Sequence, residues 1–322
     1  MTHDAKDTPF SQCDIRGSWH EPNTVKDTYG TDNSRTITYR FNTLGFRGED
    51  YDPDAKFRIC LFGESCTFGL GVAEDQTFGY RLKGYIAEVF GYGIDQVNLM
   101  NMGVAGVSAD HCVRSVIRQI VGNHFDLVIC HLPELARREY FDGKRFRSLV
   151  IPNDDLTKER LEAMPAPLLG FCEMYNIPHG HIDYVKNMLL LQGHLKSMGT
   201  PYLISTQHMP PSKGERVYIE PFYRNLDPTH LHHHRWFVVK ADKAADGRHA
   251  GPRSHTACAI TMLQAYGELL GNSGDNKRSN AVLKHARQLK RDDLDWGFCK
   301  LEVKQERLRK KAKREQKDAA HD

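Results

Sequence analysis

No run of roughly eighteen apolar residues occurs anywhere in this 322-residue chain, which excludes a hydrophobic helix long enough to cross a bilayer. The eight cysteines form no CxxC pair and no regular framework, so neither a zinc module nor a disulfide scaffold is expected. Cys60, Cys130 and Cys258 instead sit inside apolar runs, the usual setting of buried reduced thiols. Met1 to Pro9 is polar and lacks the apolar stretch of a secretory signal, so the expected location is the cytoplasm. A net charge of +3 is too small to imply a nucleic-acid partner. Internal repeats are absent.

What remains is an ordinary globular composition, 40% hydrophobic and 26% charged, in a chain long enough for one large core with appendages. The middle alternates two kinds of pattern. FRICLF (Phe57 to Phe62), QVNLMNMG, DLVICHL and YLIST (Tyr202 to Thr206) are short apolar runs. Between them lie helix-like stretches at Phe78 to Phe90, with Thr77 as N-cap, at Ala109 to Val121 and at Ile182 to Met198. Apolar strands separated by helices of this length predict βαβ units and a central parallel sheet covered on both faces. Ligands of such sheets bind beyond the carboxyl ends of the strands. Gly271 to Ser279, GNSGDNKRS, has linker composition. From Lys300 the chain is rich in Lys, Arg, Glu and Gln without Gly or Pro, predicting a solvated terminal helix; a basic arm that docks a partner is the sharper alternative. The chain thus divides into an N-terminal extension with strand and loop character (1–56), a main α/β domain (57–270), and a linker with a charged helical tail (271–322).

Three strand-end segments carry the chemistry. After FRICLF comes Gly63-Glu64-Ser65-Cys66-Thr67-Phe68-Gly69. A serine between glycines can sit on a tight turn with its hydroxyl accessible, although a lone GxS is more often a helix-capping turn. Thr67 stands where the second glycine of a GxSxG elbow would be, which excludes that motif. The second strand ends in NMGVAGVS, residues 101–108, again a glycine turn. The third segment, Asp246-Gly247-Arg248-His249-Ala250-Gly251-Pro252-Arg253-Ser254-His255, leads into a helical pattern marked by Ala259, Leu263, Tyr266 and Leu270. An Asp and a His three apart on a loop can bond to each other while both face the sheet end. A serine nucleophile needs that pair, one member to take its proton and the other to orient and stabilise the base. Alone a DxxH is weak; after GESxTFG and NxGxxG it is specific.

Together these segments resemble the SGNH (GDSL-type) serine hydrolases over roughly Thr36 to Leu270. Gly63-Glu64-Ser65 matches the nucleophile block, Gly106 the oxyanion-hole glycine, and Asp246 with His249 the closing D-x-x-H; Phe41 to Gly48, FNTLGFRG, is similar to a segment upstream of the nucleophile in many members, and the combination of R-x-G, GxSxTFGxG and D-G-x-H-x-G-P-x-S-H looks similar to phage and marine-bacterial members. The resemblance implies a flavodoxin-like three-layer α/β/α fold and hydrolysis of an acyl ester, such as an O-acyl group on a carbohydrate. It implies Ser65, His249 and Asp246 as catalytic residues, the N–H groups of Ser65 and Gly106 as oxyanion donors, and neither metal nor organic cofactor. A phage source would make the protein virion-associated. An acyltransferase or a non-catalytic binding module on the same scaffold are the alternatives.

Two positions depart from the family pattern. Glu64 replaces the usual Asp, at a place expected to be non-chemical. The third strand ends in His131-Leu132-Pro133-Glu134-Leu135-Ala136-Arg137-Arg138 and lacks the family's Asn donor, whose loss costs on the order of 10²–10³ in turnover; His131, Arg137 and Arg138 are the expected replacements. His230, His232, His233 and His234 are adjacent residues without supporting Cys or carboxylate spacing, so a loop or cleft rim is expected there rather than a metal centre. Gln207 to Lys240 reads as a long loop over the site. His255, inside the helix start, is expected to be structural.

Overall fold

The computed structural model describes residues 22–29, 36–141, 146–150, 169–170, 177–206, 219–238 and 240–292; the charged tail from Lys300 and the first 21 residues lie outside them. In chain order the elements are β1 (Val25–Tyr29), β2 (Thr36–Arg40), β3 (Phe57–Gly63), the single turn α1 (Ser65–Phe68), α2 (Phe78–Phe90), β4 (Val97–Gly103), α3 (Ala109–Ile120), β5 (Leu127–His131), β6 (Arg137–Phe141), β7 (Phe146–Val150), α4 (Ile177–Ser197), β8 (Tyr202–Thr206), β9 (Leu231–His233), α5 (Pro252–Asn272) and α6 (Asn276–Asp292).

Five strands form one parallel sheet in the order β4-β3-β5-β8-β9. Counted within the sheet this is 2-1-3-4-5, the flavodoxin-like order, with the switch point beside β3. Strand β3 can be apolar along nearly its whole length because both of its faces are covered. Cys60 and Phe62 point into a core with α3 and α4, and Ile59 and Leu61 into a second core with α2, α5 and α6. The result is a three-layer α/β/α sandwich. Local chemistry sets the helix ends. Thr77 caps α2 by accepting from Tyr80 N, and Gly91 closes it at φ 67°. Ser108 caps α3. Asp242 accepts from Arg253 N and Ser254 N, at 2.9 and 3.1 Å, to cap α5 from a distant loop.

The N-terminal segment is not a loose extension. The β1–β2 hairpin leads into Phe41–Gly48, and Ile37, Tyr39 and Phe41 pack on Phe68, just past the β3 turn. Arg47 is fully buried there. Its guanidinium donates to the carbonyls of Phe68 (2.9 Å), Gly69 (2.7 Å) and Val72 (2.8 Å) and lies over the Tyr39 ring. Three carbonyls bind its two terminal nitrogens, Nε has no hydrogen-bond partner among the described residues, and burial pulls its pKa down to about 10.

Two expectations change. Gly271 to Ser279 is not a linker but two helix ends joined by a tight turn at 273–275: α5 runs to Asn272, α6 begins at Asn276, and Ser279 Oγ donates to Gly267 O at 2.7 Å. Val282 and Ala286 of α6 are buried. Glycine and small polar residues suit a tight turn as well as a flexible segment, and only the apolar face of α6 distinguishes the two. The stretch read as a loop over 207–240 contributes β9, which extends the sheet beside β8. Three residues, Leu231 and two histidines, are too short a run at a sheet edge to leave a strand signature. Cys60, Cys66, Cys112, Cys130 and Cys258 are buried free thiols. No helix among the described residues is long and apolar enough to cross a membrane.

Candidate functional site

The site forms where β3 ends. Gly63 has no room for a side chain: a Cβ there would collide with Thr67 Oγ1 and lie 2.7 Å from His131 O. The chain therefore turns sharply from the strand into α1, with Glu64 as N-cap accepting from Cys66 N at 3.1 Å. Neighbours hold the turn in place. Arg47 binds its carbonyls, and Asn101 of β4 donates to Thr67 O at 2.9 Å. The outcome is Ser65, 4% exposed, standing at the carboxyl edge of the sheet.

The loop before α5 brings the partners. Ala245 N donates to Gly71 O at 2.9 Å, tying this loop to the segment after the serine. Gly247 at φ 68° lets the chain reverse between Asp246 and His249. Asp246 Oδ1 accepts from the backbone N–H of Arg248 and of His249, each at 2.9 Å, while Oδ2 lies 2.5 Å from His249 Nδ1. His249 Nε2 lies 3.0 Å from Ser65 Oγ. Residues 184 positions apart thus make one chain of contacts, carboxylate to imidazole to hydroxyl.

Burial pushes the Asp246 carboxyl up, but hydrogen bonds from the backbone and ring of His249 and from Arg248 N–H outweigh it and hold the pKa below the ordinary value. Asp246 is thus an anion at neutral pH. Glu64 is more deeply buried, and burial likewise opposes its charge. His131, the Ser65 hydroxyl, Cys66 and Arg137 overcome that and leave it ionised. The adjacent Cys66 thiol is pushed well up by burial and by Glu64, which makes it a poor nucleophile beside Ser65.

A cavity of about 280 Å³ opens over these groups, walled by Ser65 and His249 together with Arg137, Phe237, Lys240 and Arg248. Gly106 lies past the end of β4 at φ 83° and is not among the residues lining it. Of the three expected replacements for the missing Asn, Arg137 lines the cavity. Arg138 pairs with Asp183 of α4 at 3.3 Å. His131 is buried, with Nδ1 2.9 Å from Ser205 Oγ and its ring stacked on His234.

The histidine run is only partly solvated: His233 is exposed and His230 and His232 are half-buried. His230 stacks on Tyr202, its Nδ1 2.8 Å from Tyr202 O, while His234 turns inward to Ser205 and is buried. Among the described residues no group of three His, Cys, Asp or Glu is placed to hold a metal ion. His255 Nδ1 accepts from Phe78 N at 3.0 Å at the start of α2, a structural place. The reading from sequence missed Glu64, whose carboxylate accepts a hydrogen bond from Ser65 Oγ. The one available signal was the extra methylene of Glu over Asp, which extends the reach of the carboxylate.

The chain matches no family model and no curated protein. Among solved structures it is similar to a two-domain esterase active on acetylated mannans, at 13% identity and TM-score 0.36, over 66% of this chain and 49% of that one. It is also similar to an acetyl xylan esterase from Butyrivibrio proteoclasticus, at 10% identity and TM-score 0.42, over 70% of this chain and 67% of that one. A psychrotrophic esterase from Pseudoalteromonas sp. aligns at 12% identity and TM-score 0.39, over 66% of this chain and 98% of that one. The chain spans about half the length of the two-domain esterase.

Proposed function

We propose that the protein is a serine esterase of the SGNH type that cleaves a small acyl ester, an O-acylated carbohydrate among the candidates. One observation carries this reading: His249 stands between Ser65 Oγ, at 3.0 Å, and the Asp246 carboxylate, at 2.5 Å, on the wall of an open cavity. An acceptor-only carboxylate on Nδ1 requires that nitrogen to carry the hydrogen, leaving Nε2 as the base.

In this reading the Ser65 oxygen bonds to the ester carbonyl carbon as its proton passes to Nε2. The carbonyl π pair moves onto oxygen, and the C–O bond to the alcohol then breaks, with the alkoxide taking the proton from Nε2. Water repeats the sequence to free the acid and Ser65. The negative oxygen is assigned to the Ser65 N–H, with the Arg137 guanidinium in the role left by the missing Asn. A cation can stabilise that charge as an amide does.

The reading predicts covalent labelling of Ser65 by a fluorophosphonate and hydrolysis of p-nitrophenyl acetate that persists in EDTA. No labelling of the folded protein, or labelling that survives Ser65→Ala, would rule it out and leave a binding module on this scaffold as the better account.

A further inference from the structure

Ser65 Oγ has two neighbours competing for one proton. Its hydroxyl donates to Glu64 Oε2, and the same oxygen is 3.0 Å from His249 Nε2. Since Asp246 keeps a hydrogen on Nδ1, a neutral ring has a bare Nε2. If the serine proton points at Glu64, bare Nε2 and Oγ face each other with lone pairs. If it points at His249, the Glu64 carboxylate faces an oxygen that has nothing to donate. One additional proton removes either conflict, either on Nε2, which then donates to Oγ, or on Glu64 Oε2, which does the same. These two arrangements have equal proton counts and are forms of a single state.

We propose that Glu64, Ser65 and His249 hold one proton in common, and that the charge of Glu64 sets the pH at which this proton leaves and the nucleophile becomes active. The inference rests on the esterase reading. When the shared proton departs to water, the serine hydroxyl turns to Nε2 and attack follows as described. An anion beside the shared proton retains it, so Glu64 moves the acid limb of the activity profile to higher pH.

The groups facing this trio come from several elements. Asp246 stands behind His249, and Lys240 approaches Cys66. His131 at the end of β5 and Arg137 on β6 both stabilise the Glu64 anion. Cys112 on α3, Tyr184 on α4 and His255 on α5 also lie within electrostatic reach of Glu64. Burial pushes the Cys112 thiol and the Tyr184 phenol up, and holds His255 down to about 3. None of these three changes charge around neutral pH, so they do not produce the limb. His131 is held by Ser205 through Nδ1.

Glu64→Gln separates this role from a structural one. Cys66 N holds Oε1, so the amide oxygen stays at the cap and the NH₂ takes the place of Oε2. The bond to Ser65 then reverses, with the side chain donating, and the serine proton is free for His249. The expected result is an acid limb of kcat/KM lowered by about one pH unit or more. One unit below the wild-type midpoint, the variant then retains about five times the wild-type fraction of its own plateau. Glu64→Asp keeps the charge but withdraws it by a methylene, and its limb should fall between the two; it carries the test if Glu64→Gln does not fold. A pure capping role predicts limbs that coincide with wild type, and that outcome in either folded variant overturns the proposal. Loss of wild-type labelling or hydrolysis would instead strike the esterase reading itself.

Discussion

Two serines of this sheet stand against imidazoles at nearly the same distance. Ser65 Oγ is 3.0 Å from His249 Nε2, and Ser205 Oγ is 2.7 Å from His234 Nε2 and 2.9 Å from His131 Nδ1. Distance alone would favour Ser205. The surroundings differ. His249 has a carboxylate on its far nitrogen and lines an open cavity, whereas His234 Nδ1 has no hydrogen-bond partner among the described residues and Ser205 is fully buried. Burial and its neighbouring histidines hold His234 well below the ordinary histidine value, so it cannot readily accept the proton a nucleophile must give up. A serine–histidine contact becomes a catalytic unit only with a group to stabilise the imidazolium and a path for the substrate.

The largest expected effect tests that contrast directly. Ser65→Ala should lower esterase kcat/KM by at least ~10³-fold, while Ser205→Ala should leave it within a few-fold; a steady-state assay of both variants that finds the reverse would exchange the roles of the two clusters. Next in size is Asp246→Asn, which removes the anion behind His249 and favours the wrong tautomer. Its loss should be smaller than that of Ser65→Ala but still at least ~10², with the urea midpoint little changed. Equal rates for this variant and wild type would mean that the carboxylate only shapes the loop.

The buried cluster should matter for stability instead. Ser205→Ala leaves two buried imidazoles short of a partner and should cost about 1–3 kcal/mol in denaturant unfolding. A variant as stable as wild type would show that the network contributes nothing. The smallest effect concerns pH. Burial first, then nearby Arg47, Arg81 and His131, hold the pKa of His255 down to about 3, against about 6.5 in the unfolded chain. Between these values the unfolded state binds more protons, so this contribution is complete above about 6.5 and is lost as pH falls toward 3. Its slope is at most about 1.4 kcal/mol per pH unit. His255→Asn keeps an acceptor for Phe78 N and removes the titration. Its stability should fall less than wild type between pH 7 and 5, and parallel curves would contradict this.

Much of the site could be read from local chemistry. Gly63, Ser65, Asp246 and His249 stand at element ends, where glycine, a capping residue and a D-x-x-H spacing leave strong marks. The same is true of α2, with Thr77 before it and Gly91 after it. The places where the reading failed share a cause. Strand β9 is one leucine and two histidines that pair with the edge of β8, and α6 follows a turn with the composition of a linker. Arg138 looks as suitable a donor as Arg137 until Asp183 of α4 claims it.

By itself the sequence determined the alternation of apolar strands and capped helices, hence a parallel sheet, and the two segments that hold Ser65 and the Asp246–His249 pair. These depend on contacts within a few residues. Only the tertiary structure decided which histidine the serine meets across 184 positions, that Arg47 of the N-terminal segment clamps the loop after it, and that Glu64 accepts from the Ser65 hydroxyl as well as capping a helix turn. Each depends on side chains from separate elements arriving at one point. That convergence is set by how the layers pack, and no local pattern encodes it.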